Sequence, residues 1–481
     1  MALYIIHAEK PTLLDGHKSF ELIPTDLMVS YVVDTAHVFP GTIDIPRFNK
    51  AVSQTLSSFP LAVGRISRAK SPGQPWKILL VDQGLPVTVV DSDAEKIVAK
   101  DSIVQSPFPF LVDRVNASRF FKESSEEPLV KITVTQYTKL GYTSIGVSYA
   151  HVIGDGFTVA QFTRLLSQHY QGLPPLDDPP NYSWAFSYQP TDESALDIPC
   201  LRDPYHINTI PPFMDPAREK AIRVDIHFTA EQIGRIHKAI STQPNAENCG
   251  TTPISRQDAL VALLAKCYTE SEPSSPPVTK ISNVFMHRGI SSCPPTRCCN
   301  AFVFALGDVT SELDKGDHPP SLFALAQSVR QSLQQPRDPQ FFARLQNQSN
   351  QRFQEIADSD MCVDLTPGPG EMVINSTWKF DYTSAHFGYP GKTRFFHTIL
   401  SEPRFIKIFR PNPTLLPDGT WTRPDPRDAE ITLFVRRQTL TQFEEVLRGY
   451  LTTFGITEGY QFFSYLDSPL ASADGLSDLA H

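Results

Sequence analysis

No apolar run in the 481 residues reaches the ~18 needed to cross a bilayer. The start of the chain has a single short apolar cluster, Leu3 to Ile6, with Glu9 and Lys10 close behind. A secretory leader is therefore not expected, and a cytoplasmic address is. Dense Lys/Arg runs are missing too. The formal charge of −9 opposes non-specific contact with a polyphosphate, so neither nucleic acid nor membrane is expected as a partner. Cysteine is sparse and odd in number: seven, scattered from Cys200 to Cys362, which is no disulfide framework. Cys293, Cys298 and Cys299 cluster without the paired Cys-x-x-Cys of a structural zinc site, so buried or half-buried thiols and no metal are expected. There is no Gly-x-Ser-x-Gly elbow for a serine hydrolase and no repeat at solenoid periods. The Gly-Lys-Thr at 391–393 has two residues between Gly388 and Gly391, where a phosphate-binding loop needs four.

What remains is the composition of a folded protein, 41% hydrophobic and 20% charged, too long for one ordinary core. Residues 46–59 carry Phe48, Ala51, Val52, Leu56 and Phe59 at helical spacing, with Asp44 as cap and Pro46 in the first turn. Residues 130–137 alternate, Lys139-Leu140-Gly141 is a turn, and Ile145, Val147 and Tyr149 alternate again, which predicts two antiparallel strands. The second strand runs into His151-Val152-Ile153-Gly154-Asp155-Gly156. A helical pattern follows through Val159, Phe162, Leu165 and Leu166 and stops at Gly172 and Pro174. His151 thus sits at a strand end, where a rigid scaffold can present a reactive group, and an imidazole is the natural general base at neutral pH. Asp155 falls at the N-cap of the following helix, a structural duty that precedes any catalytic one.

Residues 173–218 hold ten prolines and no periodicity, and read as a stiff crossover whose Tyr182, Trp184, Phe186 and Tyr188 lie against a surface. Beyond it come a strand over 222–228 and a Thr229/Gln232 capping box ahead of Ile233, Ile236 and Ile240. Helices capped by Ser255 and Ser321, a strand over 431–435 and a last helix over 440–451 follow. The tail after Leu466 is rich in Ser, Asp and Ala and is expected to fray. The expected organisation is an N-terminal domain over 1–175, a crossover over 176–218 and a C-terminal domain over 219–481, with α/β layers in both halves.

Several of these stretches, in this order, resemble the BAHD-type acyl-CoA-dependent acyltransferases, nearer to the fungal secondary-metabolism members than to the plant ones. His-Val-Ile-Gly-Asp-Gly at 151–156 matches the family's His-x-x-x-Asp-Gly signature. The stretch 48–65, ending Pro-Leu-Ala-Val-Gly-Arg, is similar to its first-helix segment, and 255–267 to the helix opening its second domain. Residues 283–300, with Arg288, Pro294-Pro295 and Asn300-Ala301, are similar to its Arg/Pro-Pro/Asn-Ala stretch. The second signature, Asp-Phe-Gly-Trp-Gly, falls on His386-Phe387-Gly388-Tyr389-Pro390 and departs from it, which puts the local geometry of that element in doubt.

The resemblance implies two similar chloramphenicol-acetyltransferase-like domains, each a mixed sheet with flanking helices, and a channel between them. It implies a monomeric enzyme with no permanently bound cofactor, moving an acyl group from acyl-CoA to the hydroxyl or amine of a small molecule, a secondary metabolite. His151 would be its base. Asp155 would pair with Arg288 to fix the loop, Gly156 would serve close packing or a positive φ, and Tyr389 with Gly388 would supply an oxyanion donor or line the channel. A condensation-type domain fed by a carrier protein is the alternative of the same fold, but that usually carries two adjacent histidines where this chain has Ala150-His151. A non-catalytic binding protein of the same fold is the other.

Overall fold

The computed structural model describes residues 1–10, 16–28, 31–69, 71, 74–94, 103, 112–121, 125–174, 178–183, 195–207, 209, 221–242, 252–290, 293–313, 319–398 and 402–465. Two mixed sheets organise them. The first has six strands in the order Ala2–Ile6, Leu85–Ser92, Val130–Tyr137, Tyr142–Ala150, Val32–Pro40 and Arg394–His397. The second has seven: Phe302–Asp308, Lys280–Met286, Glu371–Ser376, Phe405–Phe409, Ala429–Arg436, Ala221–Phe228 and Gln461–Ser464.

Helices Ile45–Leu56 and Gly156–Gln171 cover one face of the first sheet, with Phe48, Val52, Val159 and Phe162 in one core with Val87, Ile132 and Val147. Asp44 caps the former through the Arg47 amide at 2.7 Å, with Pro46 in the first turn as expected. The helix ends at Leu56, three residues short of the expected Phe59, because Pro60 disfavours helical backbone at the residue before it. The amides of 57–59 instead close tighter turns onto Gln54, Thr55 and Leu56. Ala230–Ser241, Arg256–Ser271, Leu322–Gln334 and Leu440–Thr453 cover one face of the second sheet. Thr229/Gln232, Ser255 and Ser321 cap the first three of these, as their spacing predicts. Helix Pro339–Asp358 lies in a third cluster with Phe285, Phe302 and Phe304.

The strands 130–137 and 142–150 pair antiparallel, from Val130 opposite Tyr149 to Tyr137 opposite Tyr142. Of the crossover, residues 178–183, 195–207 and 209 are described. Tyr182 donates to the Ser58 carbonyl at 3.2 Å, and the Leu196 amide to Gln348 at 2.6 Å, so those pieces lie on both halves of the molecule. Trp184, Phe186, Tyr188 and the tail after 466 lie outside the described residues. The six described cysteines are free and buried.

One strand changes partner. Arg394–His397 follows four strands of the second sheet in sequence, yet it pairs antiparallel with Val32–Pro40, His397 opposite Thr35. Ala385 and Phe387, just before it, are also buried in the first core. The second half of the chain thus completes the first sheet, and the two sheets are joined along a seam.

Candidate active site

The strand carrying His151 is pinned where it ends. Val32 is opposite Ala150, the Ala150 amide reaches the Leu129 carbonyl at 2.8 Å, and the His151 amide reaches the Tyr31 carbonyl at 3.0 Å. One 3₁₀ turn, His151–Ile153, then swings the chain into the helix Gly156–Gln171. Gly154 must be glycine for space, since a Cβ there would lie 2.6 Å from the Thr158 side chain. Asp155 caps the helix by accepting from the Thr158 amide at 3.2 Å.

The loop is then clamped from the other sheet. Arg288 forks onto Asp155, Nη1 to Oδ2 at 2.8 Å and Nη2 to Oδ1 at 2.9 Å, with its Nε on the Arg297 carbonyl at 2.8 Å and Nη2 also on the Cys299 carbonyl at 2.7 Å. The Ala301 amide gives Asp155 a further bond at 3.2 Å. Asn300 donates through Nδ2 to the His151 carbonyl at 2.8 Å, while its own amide reaches Asp26 Oδ1 at 3.1 Å. The stretch 288–301 therefore holds both ends of the His-x-x-x-Asp turn. Burial alone would raise the Asp155 carboxyl, but the Arg288 guanidinium holds it below the usual carboxylate range.

The His151 ring stands edge-on to Phe302, centroids 5.9 Å apart. Burial lowers its pKa from the ordinary value; Asp155 opposes that and Lys407 adds to it. The imidazole is therefore neutral at neutral pH. Asp155 spends its bonds on Arg288, Thr158 and Ala301, so it acts on His151 through position and field, not as a direct hydrogen-bond partner. Gly156 has no positive φ; a Cβ there would come 3.3 Å from the Tyr382 hydroxyl, so close packing is its role.

His151, Asp155, Gly156 and Arg288 are thus one constellation. Tyr389 and Gly388 are not part of it. The Tyr389 ring stacks on Phe39 at 5.1 Å and covers Gly41, past the opposite end of the strand Val32–Pro40. Seven residues separate Phe39 from Val32, the residue level with Ala150, and at ~3.3 Å per residue that is roughly 23 Å. The oxyanion role expected for Tyr389 is corrected accordingly. The 386–390 element is a wedge: Phe387 is buried against Phe39, Phe48 and Tyr170, and its amide donates to Ser167 Oγ at 2.9 Å. Gly388 takes φ +98°, a conformation suited to glycine in that turn.

Sequence reasoning passed over two further groups at the seam. Lys407 and His397 are buried, with Nζ and Nε2 3.2 Å apart. The available signal was a lone lysine at the centre of Phe-Ile-Lys-Ile-Phe, 405–409, an apolar run too short to read alone.

Two mixed sheets, a strand passed from one half to the other and a clamped histidine loop at the seam are the make-up of the chloramphenicol-acetyltransferase-like class. The chain belongs to the Transferase family, whose family model matches residues 14–392, and within it to the BAHD-type acyltransferases. No curated protein sequence matches it. Among solved structures it is similar to F. graminearum TRI101 complexed with coenzyme A and deoxynivalenol, at 13% identity and TM-score 0.63, over 92% of this chain and 99% of that one. It is similar to vinorine synthase at 14% identity and TM-score 0.61, over 92% and 95%. F. sporotrichioides TRI101 complexed with coenzyme A and T-2 follows at 14% and 0.58, over 89% and 97%. At such identities the likeness is one of fold.

Proposed function

We propose that this acyltransferase moves an acyl group from acyl-CoA to a hydroxyl or amine of a small-molecule acceptor, with His151 as general base. The observation that carries the reading is the neutral, half-buried His151 on a loop locked across the seam by the Asp155–Arg288 fork. The TRI101 structures hold coenzyme A together with a small acceptor, which supports the same two substrates here.

An alcohol is a weak nucleophile until a base takes its proton as it attacks. His151 Nδ1 is buried and has no hydrogen-bond partner among the described residues. Nε2 is then the ring nitrogen left to meet the acceptor, and in the tautomer protonated on Nδ1 its lone pair is the base. Nε2 removes the acceptor's proton while its oxygen or nitrogen bonds to the thioester carbonyl carbon. The tetrahedral intermediate collapses, the C–S bond breaks, and the imidazolium returns the proton to the departing thiolate. No acyl-enzyme is required.

We assign the donor's phosphates to an open hollow of about 420 Å³ on the second domain, lined by Ala230, Glu231, Gly234, Arg235, Lys238, Arg256 and Arg427. Arg235 and Arg427 are engaged by Glu231 and Asp425. Arg256 opens a 16-residue helix whose first turn already carries Asp258 in its capping box, so the guanidinium and not the helix end is the anion contact. Gln257, beside it, bonds Ser376 at the end of the strand paired with Phe405–Phe409.

The test is release of free thiol from acetyl-, malonyl- and longer-chain acyl-CoA with a panel of alcohols and amines. Acceptor-dependent release should fall ~10²–10⁴-fold in His151→Ala, and Arg256→Glu should raise the KM for acyl-CoA about tenfold, one phosphate contact's worth. Full activity in His151→Ala, or transfer only from a carrier protein, refutes the proposal.

A further inference from the structure

The second sheet sends one charged side chain to the seam that the acyl-transfer chemistry does not use. Lys407 is the middle residue of Phe405–Phe409, all five of which are buried. Ile406 and Ile408 face the helices of the second core, so by strand alternation Lys407 faces the other way. It is level with Asn375 on one neighbouring strand and Thr432 on the other. His397 meets it from the edge of the first sheet. The His397 Nδ1–H donates to the Thr398 carbonyl, so its Nε2 holds a lone pair and accepts from Nζ at 3.2 Å.

The remaining Nζ hydrogens find the ring of Phe409, at 5.6 Å, and among the described residues no carboxylate within ion-pair distance. The acids nearby are already taken. Asp225, beyond Thr432, accepts from Arg223, Thr432 and Tyr465 at 2.6–3.1 Å. Asp34, beside the His397 strand, is held by Arg114 at 2.6 Å and Ser148 at 2.7 Å, and Glu430 accepts from the Ile103 amide at 2.5 Å. A buried ammonium without a counter-charge is costly, and a methionine would fit the same strand. Burial pulls the Lys407 pKa down to about 7, and its charge is felt at His151, as that of His151 is at His397. His397 stands level with Thr35, and Ala150, the residue before His151, stands level with Val32, so the pair lies three residues along one strand from the turn carrying His151.

We propose that Lys407, seated on His397, receives a carboxylate carried by one of the two substrates and holds it beside His151 during acyl transfer. One lysine on a neutral imidazole supplies a single countercharge, which suits a carboxylate better than a phosphate. The proposal rests on the acyl-transfer reading above. The carboxylate can belong to the donor, as a dicarboxylic half-thioester, or to the acceptor, as a hydroxy or amino acid.

Calorimetric binding separates the sources. The donor series compares malonyl-CoA with acetyl-CoA; the acceptor series compares hydroxycarboxylic acids with their methyl esters in the presence of coenzyme A. In one series the wild type should bind the carboxylate member roughly 10- to 100-fold tighter, the worth of a charge-assisted bond. Lys407→Met should abolish that ratio and hold or raise the melting temperature, and His397→Gln should reduce the ratio as an independent variant. A preference in neither series, a preference that survives Lys407→Met, or an equal loss for both members of a pair overturns the proposal. Binding is read without turnover, so a protein that binds with this preference but transfers no acyl group refutes the functional reading alone.

Discussion

Asp155→Asn separates a structural carboxylate from a catalytic one. The substitution keeps an oxygen for the Thr158 amide, so the helix cap survives, but it removes the charge from a fork whose guanidinium stays buried, Arg288 being 9% exposed. Removing one partner of a buried pair costs about 3–5 kcal/mol, because the other is left uncompensated. A chain of 481 residues unfolding as one unit has a melting entropy of about 1 kcal/mol per degree, at ~2.1 cal/mol/K per residue. The melting temperature should therefore fall by about 3–5 °C, read by calorimetry. The turn carrying His151 loses the anchor that Arg288 and Ala301 provide, and a displacement near 1 Å costs on the order of 10²-fold in rate. In Asp155→Asn/Arg288→Met the stranded charge is gone, so part of the melting temperature should return while the rate does not. A single variant that melts with the wild type but loses rate would mean that Asp155 acts on the reacting atoms, and the clamp argument would be wrong.

Gly156→Ala places a methyl 3.3 Å from the Tyr382 hydroxyl and should destabilise by about 1 kcal/mol; adding Tyr382→Phe should restore most of that in urea unfolding. Tyr389→Phe should leave kcat within about twofold, since the ring packs on Phe39 and Gly41 far from His151; a loss near the 10²-fold of an oxyanion donor would mean that its hydroxyl reaches the reacting carbonyl. His37 is buried, and burial lowers its pKa from 6.5 to about 4, the bond to the Tyr382 carbonyl opposing only in part. Between those values the unfolded chain binds a proton that the folded chain refuses. Stability is therefore intact above pH ~6.5 and falls as pH drops through that window, by about 3 kcal/mol from this residue. His37→Gln should flatten that limb in melts taken across it.

The motif and its surroundings were legible in the chain because they obey local rules. Strand 142–150 alternates, Asp155 caps, Gly172 ends the helix at φ +70°, and the capping boxes at Thr229 and Ser255 need only neighbours three residues away. Strand Val32–Pro40 was not legible. Its Asp34, Thr35 and His37 are buried, and Asp34 is tolerable there only because Arg114 and Ser148, 80 and 114 residues on, satisfy it. Helix Pro339–Asp358 hides for a similar reason: Gln346, Asn347, Ser349 and Asn350 are all buried, so the apolar stripe that would announce it is broken.

The sequence by itself determined which residues could form the reactive turn: a histidine at a strand end, an acid four residues on at a helix start, and a glycine where a side chain would collide. These depend on dihedrals, caps and alternation, which act over a few residues. Tertiary structure alone decided what meets that turn. It sent 394–397 back to the first sheet, left Tyr389 at the far end of the strand Val32–Pro40, and faced Lys407 with His397 across the seam. Such meetings depend on how two sheets pack, and no spacing along the chain encodes them.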